Sequence, residues 1–180
     1  MMMSFAMLGL VGILWVLYGY SLSFGPDKAG IIGGLDFFGL NNVGQEPSSV
    51  YATTVPHLAF MIFQAMFAII TVALFTGAVV DRIKFSSLLV FSALWLTFIY
   101  APVAHWVWGG GWLANLGRTL GLANGAVDFA GSGVVHTTGG AIGLATAIVL
   151  GPRLGRFNAD GSPNAIPGHN IPMGVLGTII

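Results

Sequence analysis

Residues 57–80 read HLAFMIFQAMFAIITVALFTGAVV, a run without a single Asp, Glu, Lys or Arg. A helix of about 20 mostly apolar residues crosses the hydrocarbon core of a bilayer, so this run predicts a transmembrane helix. Comparable runs predict further spans at residues 5–24, 86–108 and 129–150, and another, truncated one at 171–180. The chain is therefore predicted to be all-α, a polytopic membrane helix bundle that forms a single transmembrane domain over residues 1–180.

The composition supports a membrane protein and excludes several other classes. Hydrophobic residues make up 56% of the chain and charged residues 7%, which is far from the balance of a water-soluble domain. Six Lys and Arg balance six Asp and Glu, so no basic excess indicates nucleic acid as a partner. With no cysteine, no phosphate-binding loop and no HExxH motif, the sequence predicts neither an enzyme nor a cofactor. Three histidines are predicted to be structural or solvated, because none is paired at metal-ligand spacing: His57, His105 and His169.

The basic residues indicate the orientation in the membrane. Short cytoplasmic loops are enriched in Lys and Arg, and four of the six cations follow the second and fourth predicted spans: Arg82, Lys84, Arg153 and Arg156. Those two loops are therefore expected in the cytoplasm. The loops at 25–56 and 109–127 are expected outside, and the first span is expected to run from inside to outside.

An acid and a histidine interrupt the small residues of the stretch DFAGSGVVHTTGG, residues 128–140. Asp128 precedes the fourth span, where a carboxylate can accept hydrogen bonds from the free amides of the first turn. His136 is eight residues further on, roughly 12 Å deeper in the bilayer. An ionisable group at that depth is a functional candidate by default, and burial favours a neutral ring. His136 is therefore predicted to line a path for a small polar solute; the alternative is a packed, hydrogen-bonded core histidine.

Aromatic residues on two other spans are candidates for a cation site and a gate. Trp108 precedes three glycines in HWVWGGGW, residues 105–112, and an indole face attracts ammonium-type ions. Phe63 and Phe67 are four residues apart and share one helix face, where stacked rings can exclude hydrated ions. The alternatives are packing at the membrane interface for Trp108 and core or lipid packing for the phenylalanines.

Four segments together resemble the ammonium transporter (Amt/Mep/Rh) family: LWVLYGYSLSFG, FQAMFAIITVALFTGAVVDRIKFS, WLTFIYAPVAHWVWGGGWL and DFAGSGVVH. The resemblance implies a homotrimer of eleven-helix subunits, each with a pore between two inverted halves, and this chain is expected to form part of one half. It also implies that the chain starts at the second span of the family pattern and ends early in the sixth. Such a fragment is expected not to conduct alone.

The resemblance also assigns roles to the candidate residues. Trp108 resembles the aromatic wall of an outer ammonium site, and Phe67, with Phe63 beside it, resembles the gate beneath that site. His136 resembles the first of two pore histidines, and Asp128 resembles the acid that organises the outer vestibule without touching the substrate. Ammonium is expected to lose a proton near the gate and to cross as ammonia. The family further implies a multi-pass protein of the plasma membrane and a cytoplasmic regulator of the P-II type.

Three other functions are compatible with parts of the pattern. The chain could be a non-transporting, truncated or sensor-like membrane module of the same family. It could contribute to a pore for another small neutral solute, such as water or carbon dioxide. A membrane-embedded enzyme with His136 as its base is disfavoured, because the sequence places no nucleophile or second acid at the same depth.

Overall fold

A computed structural model describes residues 2–122 and 124–179. It is mostly helical, and four of its helices are long and apolar enough to cross a membrane. These are α1 (Met2–Phe24), α2 (His57–Val79), α3 (Phe85–Val107) and α5 (Ser132–Leu150). Two shorter helices are α4 (Leu116–Leu120) and α6 (Ile171–Ile179). The last residue of the truncated span predicted at 171–180 lies outside the described residues.

The start of α5 differs from the predicted span at 129–150. The helix begins at Ser132 because Gly131 has a φ of +90°, a left-handed conformation that does not continue a right-handed helix. The end of α3 differs as well, since Trp108 follows the last helical residue, Val107. Trp108 therefore lies just after α3, and Asp128 lies four residues before the first residue of α5.

Three of the long helices contain a π-helical turn, at Trp15–Gly19 in α1, Leu96–Tyr100 in α3 and Ser132–Thr137 in α5. In α5 the backbone N–H of His136 donates to the carbonyl of Gly131, five residues earlier, at 2.9 Å. Such turns frequently occur at functional sites. The apolar pattern of the sequence contains no signal for them.

The core lies where α1, α2 and α3 meet. Trp15 of α1 is fully buried and makes edge-to-face contacts with Tyr20 and Phe24 of its own helix and with Tyr100 of α3. Its Nε1 donates to the backbone carbonyl of Met61 in α2 at 3.2 Å. The Trp15 side chain therefore contacts all three helices, and its own buried N–H is hydrogen-bonded.

Small residues allow α5 to approach α2 closely. A Cβ on Gly139 would lie 3.3 Å from Cδ1 of Leu74, and one on Gly143 would lie 3.6 Å from Cβ of Ala78. A stripe of small residues is a common way for membrane helices to pack. It positions the beginning of α5, and with it the candidate residues Asp128 and His136, against α2.

The loops lie at two ends of the bundle. At one end, Arg82 donates to the carbonyls of Ala78 and Gly151, and Arg153 pairs with Asp81. The two basic loops that were predicted to share the cytoplasmic face are thus in contact. At the other end, the 25–56 loop forms two small antiparallel strand pairs that the sequence did not predict: β1 (Asp27–Lys28) with β2 (Ile32–Gly33), and β3 (Pro47–Ser48) with β4 (Ala52–Pro56).

Candidate functional site

The three predicted aromatic residues form one continuous column. The ring centroids of Phe63 and Phe67, one turn apart on α2, are 4.9 Å apart at an interplanar angle of 77°. The ring of Phe67 in turn meets the indole of Trp108 at 5.6 Å and 73°. Both contacts are edge-to-face, the arrangement that aromatic quadrupoles favour. The structure therefore brings together residues that are 41 to 45 positions apart in the sequence.

A cavity of about 250 Å³ adjoins this column. All three rings contribute to its wall, together with three polar residues, Tyr51, Gln64 and Asp128. Aromatic faces with a few polar groups are typical of small-ligand sites. The described residues thus form a space beside Trp108 that is large enough for a small ligand.

Two features hold Trp108 in position. Its Nε1 donates to the backbone carbonyl of Asp128 at 2.6 Å, which connects the end of α3 to the start of α5. The next residue, Gly109, lies so close to α1 that a Cβ there would be 2.1 Å from the carbonyl oxygen of Ser23. The indole is therefore fixed by a hydrogen bond on one side and by close backbone packing on the other.

The Asp128 carboxylate is bonded entirely to the first turn of α5. Its Oδ1 accepts from the N–H groups of Gly131 and Ser132 at 2.7 and 2.8 Å, and its Oδ2 from those of Gly133 and Val134 at 2.8 Å each. Burial alone would raise the pKa of this carboxyl, but the four amide hydrogen bonds outweigh it and hold the pKa below its usual value. Asp128 therefore caps α5 as an anion.

His136 lies on an exposed face of α5. Its Nδ1 is 3.1 Å from the carbonyl oxygen of Gly131. Because a carbonyl only accepts, Nδ1 carries the hydrogen in this hydrogen bond, and in the neutral form of the ring Nε2 is the acceptor. A Cβ on Gly131 would lie 3.6 Å from Cδ1 of Phe67, so the residue that orients His136 also packs against the column.

The exposure of His136 bears on one of the alternatives that the sequence left open. That argument used burial to favour a neutral ring and left a packed core histidine as the alternative. Among the described residues the ring is exposed, so it does not pack in the core that these residues form. The orientation of the ring comes instead from the carbonyl that the π-helical turn places next to Nδ1.

Two of the other histidines are buried and hydrogen-bonded, and the sequence did not identify their partners. His57 is 2.6 Å from the hydroxyl of Tyr20. His105 places Nδ1 2.9 Å from the carbonyl of Ser23 and Nε2 2.8 Å from Oδ1 of Asp27. The hydrogen bond from His105 is the main reason that the pKa of Asp27 lies below its usual value. This pair connects the 25–56 loop to the end of α3 next to Trp108. His169 is exposed.

Gln64 is the residue of this site that the sequence analysis missed. It is the only side-chain amide in the charge-free run at 57–80, which was an available signal. Only the structure shows that Gln64 is buried and lies at the cavity wall.

Known proteins resemble this chain in sequence and in structure. The sequence model of the Ammonium Transporter Family matches residues 1–180. A protein of Bacillus subtilis (strain 168) named "Ammonium transporter" is 49% identical over 152 residues, which are 84% of this chain and 35% of that relative. The crystal structure of Saccharomyces cerevisiae Mep2 is similar with a TM-score of 0.79 and 36% identity, covering 98% of this chain and 38% of Mep2.

A structure described as "Sensor Amt Protein" is similar with a TM-score of 0.81 and 32% identity, covering 97% of this chain and 41% of that chain. This chain therefore spans less than half the length of each of these three proteins.

Proposed function

Because the chain belongs to the Ammonium Transporter Family and is a multi-pass membrane protein, we propose that it supplies the outer cation site and the gate of an ammonium-transporting pore. The observation that carries the proposal is the aromatic column of Trp108, Phe67 and Phe63 beside a cavity of about 250 Å³. Indole and phenyl faces attract an ammonium-type cation, more strongly when the cation has lost water.

The proposed mechanism separates the charge from the transported nitrogen. Ammonium binds beside Trp108 and transfers a proton to water on the same side of the phenylalanines, whose edge-to-face rings exclude hydrated ions. Ammonia then passes the gate and moves along the exposed face of α5, where Nε2 of His136 accepts a hydrogen bond from one of its N–H groups. A neutral molecule avoids the cost of a charge at the middle of the bilayer. Potassium has no proton to give up, so the gate rejects it.

The family also supports three wider proposals about the assembled protein. We propose a plasma-membrane location, a homotrimeric assembly and a cytoplasmic regulator of the P-II type. The regulator would approach the end of the bundle that carries the basic loops after α2 and α5. In that region Arg153 pairs with Asp81 and Arg156 donates to the carbonyl of Asn164, so the loop has a defined shape to recognise.

A sensor-like, non-transporting role is the second candidate. The similarity to the structure described as "Sensor Amt Protein" favours it, since the same outer site could bind ammonium without passing it. Uptake of labelled methylammonium by lipid vesicles containing the full-length, assembled protein separates the two roles. Saturable uptake that ammonium inhibits and potassium does not would support transport, whereas saturable binding without uptake would support sensing.

Trp108→Leu is expected to weaken the apparent affinity for methylammonium about tenfold, because it removes the cation–π contact. Water permeability of the same vesicles should not change. Trp112→Leu is the matched control, since the Trp112 ring packs against Trp106 at 5.8 Å and does not line the cavity. An equal loss in both variants, or a parallel loss of water permeability, would contradict a specific cation site at Trp108.

A further inference from the structure

His105, in the last turn of α3, faces a hydrogen-bond acceptor at each of its two ring nitrogens. The ring is fully buried. Its Nδ1 is 2.9 Å from the carbonyl oxygen of Ser23, and its Nε2 is 2.8 Å from Oδ1 of Asp27. A carbonyl and an ionised carboxylate accept hydrogen bonds and donate none. Both contacts can therefore be hydrogen bonds only when each ring nitrogen carries a hydrogen, which makes the ring a charged imidazolium.

Asp27 provides the negative charge for this ring. Its side chain is 43% exposed, so water solvates the carboxylate as well. Its two carboxylate oxygens also accept the N–H of Gly30 at 2.9 and 3.0 Å. The hydrogen bond from His105 lowers the pKa of Asp27, which keeps the carboxyl ionised at neutral pH. A buried charge is tolerated when it is paired and hydrogen-bonded, and the His105 ring meets both conditions.

The other charged groups near the pair belong to the same loop. α1, α2 and α3 contain no Asp, Glu, Lys or Arg. In the loop, Lys28 and Asp36 lie beside Gly34, where a Cβ would be 3.1 Å from Cε of the lysine and 2.5 Å from Oδ2 of the acid. The hydroxyl of Tyr51 donates to a backbone carbonyl. The counter-charge of the imidazolium therefore comes from the loop, at Asp27.

His57 provides a comparison at the same end of the bundle. It is also buried, with 6% of its surface exposed, and its Nε2 is 2.6 Å from the hydroxyl oxygen of Tyr20. A hydroxyl can donate as well as accept, so a single ring hydrogen on His57 is compatible with this contact. The two buried histidines thus differ in the chemistry of their partners.

Two neutral hydrogen bonds beside the ion pair join the turn between β1 and β2 to the end of α3. The indole Nε1 of Trp106 donates to the carbonyl of Ile31 at 2.7 Å, and the backbone N–H of Trp112 donates to the carbonyl of Gly30 at 2.9 Å. The turn is therefore connected to the chain on both sides of Trp108.

His105 also contacts the residue that follows Trp108. The backbone N–H of Gly109 donates to the carbonyl of His105 at 3.0 Å, and a Cβ on Gly109 would lie 2.5 Å from Nδ1 of the ring. A change in the position of the ring therefore moves the backbone that carries the Trp108 indole.

We propose that His105 is an imidazolium ion paired with Asp27, and that this ion pair positions Trp108. His105 is a positioning residue, since it is not among the residues that line the cavity beside the indole. The role at Trp108 rests on the proposed function, whereas the charge of the ring does not depend on it.

NMR of the ¹⁵N-labelled imidazole nitrogens tests the charge. In the full-length protein in lipid nanodiscs at about pH 7.5, where an unperturbed histidine is mostly neutral, the His105 ring should carry a hydrogen on both nitrogens and the His57 ring on one. His105→Gln and His57→Gln identify the two sets of signals. A His105 ring with a single hydrogen would overturn the proposal.

Asp27→Asn tests the pairing, because it keeps the size of the side chain and removes its charge. The amide can donate to Nε2, so His105 should lose one ring hydrogen at the same pH. Asp36→Asn in the same loop is the matched control and should leave both hydrogens in place. A ring that stays charged in Asp27→Asn, or that loses a hydrogen equally in both variants, would refute the pairing.

Asp27→Ala tests the positioning role, and the partly exposed side chain can be removed without a buried cavity. The affinity of the full-length protein for methylammonium, measured by tryptophan fluorescence, should fall about tenfold, the usual effect of losing a hydrogen bond to a charged group. Asp36→Ala should leave it unchanged. An unchanged affinity in Asp27→Ala would overturn the positioning role and leave the outer site standing. No binding of methylammonium to the unchanged protein would overturn both, while the NMR result still decides the charge of the ring.

Discussion

Gly109→Ala is expected to lower the free energy of unfolding by about 3 kcal/mol, at the upper end of overpacking effects. The new Cβ would lie 2.1 Å from the carbonyl oxygen of Ser23 and 2.5 Å from Nδ1 of His105. Neither atom can move aside easily, since one is backbone in α1 and the other belongs to a ring bonded at both nitrogens. The measurement is the midpoint of denaturation in detergent. Because Trp108 is the adjacent residue, cation binding should weaken as well.

Two other glycines, Gly110 and Gly140, provide controls for this substitution. Gly110→Ala meets no atom within 4 Å but has a φ of +83°, so it should lose only the roughly 1–2 kcal/mol of a left-handed alanine. Gly140→Ala on α5 has open space around it and should gain up to about 1 kcal/mol of helix propensity. Equal effects of Gly109→Ala and Gly110→Ala would show that backbone conformation, and not close packing, sets the requirement at Gly109.

Asp128→Ala is expected to lower the free energy of unfolding by a similar amount, about 3 kcal/mol. The substitution leaves four N–H groups of the first turn of α5 without their acceptor and removes a negative charge from the positive end of the helix. The backbone carbonyl that holds the Trp108 indole belongs to the same residue, so the affinity for methylammonium should fall too. Denaturation in detergent and fluorescence titration measure the two effects.

Asp128→Asn is the matched control because it keeps the shape and one acceptor oxygen but not the charge. It should lose about half as much stability as Asp128→Ala. A variant as unstable as the alanine form would mean that the charge provides the whole effect, and one as stable as the unchanged protein would contradict a contribution of the charge.

The stabilisation by Asp128 should depend on pH in a defined direction. Its pKa in the folded protein lies below the usual value, so its contribution is complete above the unfolded pKa of about 3.9 and is lost as pH falls through the folded pKa. The stability difference between the unchanged protein and Asp128→Asn should therefore be constant near neutral pH and shrink below about pH 4. Taking the difference cancels the titration of Asp27, whose pKa is also lowered. A difference that does not shrink in acid would contradict the anionic cap.

The sequence by itself determined the membrane-spanning helices and the position of the acid that precedes α5. Hydropathy is a sum over neighbouring residues, and each helix satisfies its own backbone groups, so runs such as 57–80 indicate helices without any knowledge of their partners. The Asp128 cap is similarly local, because the four amides that it accepts lie within six residues of it.

Only the tertiary structure decided which side chains meet across helices. The hydrogen bond between His105 and Asp27 joins residues 78 positions apart, and the one from Trp108 to Asp128 joins residues 20 apart. The burial of Gln64 at the cavity wall also depends on the rotation of α2 relative to its neighbours. Such pairings depend on the angle and distance at which the helices pack. Glycines change the distance between helices, and π-helical turns rotate the residues that follow them by a fraction of a turn. A sum over neighbouring residues in the sequence does not contain that information.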